Sequence, residues 1–354
     1  MSPTVKGCHL VGSVPLTDTE AVFRQCNAGL PKRLKRIPDG ETGERGMFTL
    51  WQFSLFAAAP QTMIEFELNK VLQGKDFTPA EIDEGIAQLE AADLQTGYDT
   101  AALQSYETFR SLKAAGHLPT DLRFQVSLPT TPNVVGAFVQ PAFRARVEPI
   151  YERALFAALH NIQAAIPHDQ LAIQLDLAVD TAFWEKQYLP AYFENVKDGV
   201  IERINRMAAQ VAEDVELGVH NCYGDMEHKH WFEPVSTAVV VERGLRILDE
   251  CPHPVAWFHL PVPLSAMQSL DEYYAPLAEL VPKLQERGCE LVLGLVHAGD
   301  AEGTRRRVEA AGKVVGEFAV ASECGYGRTP VEQLEDIFSI AREVSEPVRR
   351  GEVR

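Results

Sequence analysis

Short apolar runs, each closed by Gly, Pro or polar residues, recur eight times along the chain. They are "VKGCHLVG" (5–12), "LKRIPDG" (34–40), "RFQVSLP" (123–129), "LAIQLDL" (171–177), "VELGVHN" (215–221), "VAWFHLP" (255–261), "ELVLGLVHA" (290–298) and "EFAVASECG" (317–325). Several are almost unbroken in their apolar character, as strands are when a parallel sheet is covered on both faces. Stretches with helical spacing separate them: "VEPIYERALFAALHNIQAA" (147–165), "VVVERGLRILDE" (239–250) and "AEGTRRRVEAAG" (301–312) each gather apolar residues on one face. Eight alternations of strand and helix predict an α/β fold, a (β/α)8 TIM barrel. A doubly wound sheet is the competing arrangement, but no GxGxxG follows an early strand. The interval 41–122 is too long for a loop and holds helical patterns at 79–94 and 106–116. The chain therefore reads as one barrel domain, 1–354, with a helical insertion at 41–122 after the second strand, serving as a cover for the barrel mouth, a partner surface or an extra packing layer.

Composition narrows the class of partner. The 354 residues carry a formal charge of −17, which opposes binding to nucleic acid or to an anionic membrane. Six scattered cysteines (8, 26, 222, 251, 289, 324) suit reduced thiols better than a disulfide framework. The opening "MSPTVKGCHLVGSVPL" lacks the basic and long apolar regions of a secretory signal, and no apolar run has the length of a membrane span. The expectation is a cytoplasmic protein that takes small molecules, with self-association left open.

In a TIM barrel the chemistry sits where strands end. Here the run ends carry Ser13, Asp39 and Glu41, Asp176, His220 and Cys222, His259, His297, and Glu323 with Cys324. His220 and Cys222 stand two apart on a strand, so both leave the same face, about 6–7 Å apart. Considered alone the pair reads as ordinary core, since Cys and His are often buried without a metal. Cys324 at another strand end of the same rim turns it into a candidate zinc site.

With those residues in place the chain resembles the cobalamin-independent methionine synthase family, in its catalytic barrel. "HNCYGD" is similar to that family's H-x-C-Y-[ST]-[DE] motif, "SECGYGRTP" to D-C-G-x-x-x-R, "LVGSVPL" to I-G-S-F-P, "PDGETGER" to H-G-E-x-x-R and "IQLDLA" to I-Q-[IV]-D-E-P-A; the five fall in family order over residues 10–330. The resemblance implies zinc held by His220, Cys222 and Cys324, and a thiol amino acid such as homocysteine held by Ser13, Glu41 and Asp176. It implies a methyl- or alkyltransferase in which zinc activates the thiol. A carboxylate pair can hold an ammonium and a Gly-Ser turn can donate to a carboxylate; turn or cap roles are the structural alternatives for Ser13, Asp39 and Glu41, and a structural ion pair for Asp176.

Departures from the pattern define what to look for. The family's glutamate ligand on strand six is replaced by His259, either a neutral fourth ligand, the favoured expectation, or a position that no longer binds metal. Leu177 stands where the family has a glutamate, and the tryptophan that seats folate has no counterpart, which leaves the donor open. His297 is a candidate general acid, while His228 and His230 read as loop residues beside the site. Two other functions compete: a metal-free lyase or decarboxylase of the uroporphyrinogen-decarboxylase-like barrels, and a zinc- or ligand-binding sensor without catalysis.

Overall fold

The computed structural model describes residues 3–65, 74–224 and 229–348. Eight parallel strands form one sheet: β1 Thr4–Cys8, β2 Arg36–Pro38, β3 Arg123–Pro129, β4 Leu171–Leu177, β5 Glu216–Asn221, β6 Val255–Pro261, β7 Glu290–Gly294 and β8 Glu317–Ala321, in the order β1-β8-β7-β6-β5-β4-β3-β2. The two outer strands meet through the parallel bridge Cys8↔Leu34, the bond Cys8 N→Arg33 O at 2.9 Å, and Val14 N→Gly40 O at 2.8 Å further along. The sheet is thus rolled in the manner of a TIM barrel. All eight runs read from the sequence contain strands, and the most continuous of them is buried throughout: every residue of β4 is buried.

Between β2 and β3 lie three short 3₁₀ segments (Gly43–Met47, Leu50–Ala58, Pro60–Thr62) and the helices Pro79–Ala91 and Tyr98–Ala114. The first of these helices begins at a reciprocal cap, Thr78 with Glu81, which satisfies its leading amides.

Alternate strand residues point inward, and the interior must be filled. Trp257 of β6, fully buried, fills much of it with Val11, Ala172, Val292, Ala319 and Ala321 around it. Its indole lies where a side chain at Gly218 would be: a Cβ there would sit 1.9 Å from the ring. The Arg36 guanidinium stacks 4.1 Å over the same ring and binds Glu216 (2.6 Å) and Glu290 (3.1 Å). Arg123 joins Glu216 at 3.0 Å. That partly buried ionic cluster lies at the end where the strands begin, opposite the strand ends that carry the candidate site residues.

Candidate metal centre

β5 ends in His220, Asn221 and Cys222. Asn221 turns to the opposite face from its neighbours and is locked there, receiving Arg243 Nη2 at 2.6 Å and donating to the His259 carbonyl at 2.8 Å. That clamp fixes the strand end that carries His220 and Cys222. Cys324 follows β8, and the ligand atoms of His220, Cys222 and Cys324 all lie within 4.8 Å of one another. The two sulfurs are 3.8 Å apart. Two thiolates on one tetrahedral zinc, each bonded at about 2.3 Å, stand about 3.8 Å apart. Both sulfurs also receive donors: Gly224 N–H approaches Cys222 Sγ at 3.3 Å and Arg328 Nη2 approaches Cys324 Sγ at 3.8 Å. Gly224 has φ +88°, and any Cβ there would strike the Trp231 ring at 2.6 Å, so glycine is what allows that amide its approach.

The protonation of His220 follows from its neighbours. His259 Nε2 lies 3.0 Å from the Ser322 carbonyl, which can only accept, so that nitrogen carries hydrogen. Burial, with His9 nearby, pushes the His259 pKa down to about 3, so the ring is neutral and its Nδ1 is an acceptor. His220 Nδ1 lies 2.8 Å from that Nδ1 and must donate to it. The remaining nitrogen, His220 Nε2, is left as a bare lone pair, buried and with no hydrogen-bond partner. A buried acceptor without a partner costs about 1–3 kcal/mol. An unpartnered imidazole nitrogen on a ring grouped with two sulfurs suits a soft or borderline cation.

This geometry corrects the expectation for His259. Both its ring nitrogens are committed to protein atoms, and it does not join the cluster; it holds His220 in the ligating tautomer instead. A metal held by His220, Cys222 and Cys324 would keep a fourth position open, as catalytic rather than structural zinc sites do.

Ser13, Glu41 and Asp176 share one cavity of about 350 Å³ with His220, Cys222 and Cys324. Beyond His9, whose N–H still donates to the Val320 carbonyl of β8 at 2.9 Å, interior glutamines meet the backbone that follows β1. Gln125 Nε2 donates to the carbonyls of Leu10 (3.0 Å) and Val11 (3.1 Å), and Gln174 Nε2 to Val11 at 2.7 Å and to Asp176 Oδ1 at 2.9 Å. The turn at Ser13 is closed by Gly327 N–H on its Oγ at 3.2 Å. Asp39 spends its carboxylate on the backbone of Glu41 (2.9 Å), Arg45 (2.7 Å) and Ser105 (2.7 Å), building the turn that holds Glu41 at φ +46°. Such a φ is costly for a residue with a Cβ and persists where the surroundings impose it.

Burial, then the charge of Asp39, pushes the Glu41 pKa up to about 7. Burial, then Glu41, raises Asp176 well above the carboxylate range. A desolvated pair of carboxyls is a site that favours an arriving cation.

His297 lies elsewhere. It lines a neighbouring pocket of about 430 Å³ with His230, Glu233 and Glu323, sharing only the wall formed by Cys222, Gly224, Cys324 and Gly325. Its Nε2 donates to the Val262 carbonyl at 3.0 Å, and burial pushes its pKa down to about 4. It is neutral near pH 7 with its proton engaged, which argues against the role of general acid. His230 lies between Glu233 (3.2 Å) and Glu323 (3.4 Å), and His228 lies outside the described residues. The two glutamines, Asn221 and Gly224 were not signalled by the sequence, because amides inside a barrel and a backbone N–H beside sulfur have no motif.

The class defined is an α/β protein with a TIM-barrel-like sheet and a His/Cys/Cys group able to hold a metal at its strand ends. No protein-family model matches the chain, and no curated protein matches it in sequence. Among solved structures it is similar to a Listeria monocytogenes chain whose name, vitamin-B12-independent methionine synthase, is itself provisional. The two share 16% identity over 97% of this chain and 98% of that one, with a TM-score of 0.49. No helix among the described residues is long and apolar enough to cross a membrane.

Proposed function

We propose that this chain is a zinc-dependent methyl- or alkyltransferase acting on a small thiol such as homocysteine. The observation that carries the reading is the grouping of His220, which has a buried Nε2 without a partner, with Cys222 and Cys324 in the wall of a cavity that also holds a carboxyl pair. His220, Cys222 and Cys324 hold the metal. Zinc bound there supplies acidity to a coordinating thiol, giving a thiolate near neutral pH.

The chain's own residues do the rest. Asp176 and Glu41 receive the ammonium of the thiol substrate, which returns both to their ionised state as it arrives. Ser13, in the turn after β1, orients the substrate carboxylate. Held on three points, the sulfur is aimed at the electrophilic carbon of the donor rather than free to rotate, which lowers the entropic part of the barrier. The new S–C bond takes its electron pair from sulfur, the bond from carbon to the leaving group breaks with its pair going to that group, and a proton from the cavity neutralises it. The proton that the thiol gives up on ionising balances the one the leaving group takes; His297, whose own proton is engaged with the Val262 carbonyl, does not fit that relay.

Elemental analysis of chelator-free protein tests the metal: about one zinc per chain, lost in both Cys222→Ser and Cys324→Ser, is expected. Metal-free wild-type protein would return the chain to the lyase class. Zinc without turnover of homocysteine by any simple methyl donor would leave it a sensor.

A further inference from the structure

The same cavity has a second charged feature, distant in sequence from the carboxyl pair. Arg144 is only 4% exposed and lines the cavity. Its Nε donates to the Val139 carbonyl at 2.9 Å, and among the described residues no carboxylate pairs with its guanidinium. A buried, uncompensated cation costs several kcal/mol in idealised terms and is rare unless something answers it.

Its place in the helix adds to that cost. Arg144 is the first residue of the 22-residue helix Arg144–Ala165, whose first turn has no acidic residue and whose N-cap, Phe143, offers no side-chain oxygen. The N-terminal end of a helix carries partial positive charge, so a cation there is repelled where an anion would be attracted. The helix end, the buried guanidinium and the cavity therefore all favour an anion at one point.

The rest of the lining says what kind. Phe48, Leu50, Ile64, Phe138 and Leu189 make most of that part of the wall apolar. A phosphate dianion would bring a second charge against such a surface that the Arg144 guanidinium does not balance. A carboxylate matches the planar guanidinium in both charge and shape and can accept two parallel N–H bonds.

The geometry points to a carboxylate subsite at Arg144, taking an organic monoanion whose body is apolar and fills the chamber between Arg144 and the strand ends. Under the transferase reading this ligand is the alkyl donor or its product; that assignment rests on the reading, while the binding does not.

Calorimetry on the full chain tests it with 4-phenylbutyrate, its neutral amide and inorganic phosphate as probes. The carboxylate is expected to bind wild type at least tenfold more tightly than the amide, and Arg144→Gln to erase that preference while Arg144→Lys keeps part of it. Cys222→Ser, which removes a metal ligand and keeps Arg144, should bind the carboxylate as wild type does, so a failed metal site and a failed anion subsite give different results. Equal binding of carboxylate and amide by wild type would overturn the inference, a comparison that needs no variant to fold. So would a preference that survives in Arg144→Gln, or inorganic phosphate binding more tightly than the carboxylate.

Discussion

Replacing His259 tests the hydrogen-bonded chain Ser322–His259–His220 more sharply than replacing any ligand. In His259→Phe the His220 Nδ1–H loses its acceptor in a fully buried place, a loss of about 1–3 kcal/mol. Nothing then favours the tautomer with a bare Nε2, and part of that cost falls on metal binding. Loss of a partner that orients a metal-bound imidazole weakens affinity by about 10–100-fold, or about 1.4–2.8 kcal/mol, the same range reached independently. His259→Gln should recover much of it, because an amide can accept from His220 and donate to the Ser322 carbonyl. The assay is competition for zinc with a chromophoric chelator, beside the visible spectrum of the cobalt-loaded protein. The expected order is wild type, then Gln, then Phe, with the cobalt ligand-field bands unchanged in position. Phe equal to wild type would refute the tautomer argument. Bands that move when His259 is removed would make it a ligand after all.

Three further outcomes follow from other residues. Glu41→Gln removes a carboxyl whose folded pKa is raised from 4.5 to about 7, so wild type pays for ionising it as pH climbs through that window. The variant should match wild type below pH 4.5 and gain on the order of 2 kcal/mol above pH 7, allowing for partial exposure, by urea unfolding at both pH values. Gly218→Ala drives a methyl into Trp257 and should lower stability by about 3 kcal/mol or more, read as a shift in denaturation midpoint without change in slope. Gln174→Leu leaves the Val11 carbonyl, His9 and Asp176 without their shared partner, and should raise KM for the thiol more than it lowers kcat, since it loosens substrate-holding groups rather than the metal.

The barrel could be read from the chain because burial on both faces writes itself as unbroken apolar runs; the predicted β4 and β6 coincide with the observed strands at both ends. β7 and β8 were read too long, since apolar character continues into Leu295 and Val296 after pairing stops. The grouping of His220, Cys222 and Cys324 was legible because His220 and Cys222 obey the strand period. The error at His259 has a physical source: a strand position fixes where a ring stands, but which nitrogen faces what depends on the carbonyl of Ser322, 63 residues away. His297 misled for a related reason, as a histidine just past a strand end can turn into either of two adjoining pockets. Arg144 lies just before the predicted helical stretch 147–165 and was not singled out; that no carboxylate among the described residues pairs with it is a fact about space, not spacing.

The joint between β1 and β2 bears on how such a site would move. Across it the described residues offer little more than the bonds Cys8–Arg33 and Val14–Gly40, whereas β5 through β8 are paired strand to strand without a break. Local opening costs least where backbone bonds are fewest. Ser13 follows one side of that joint and Glu41 the other, so the groups proposed for the amino acid flank it. The sulfur and imidazole groups stand on the tight side. Breathing at the joint would widen or narrow the grip on a substrate's polar end while the atoms aimed at its sulfur hold still, giving the cavity one fixed jaw and one adjustable one.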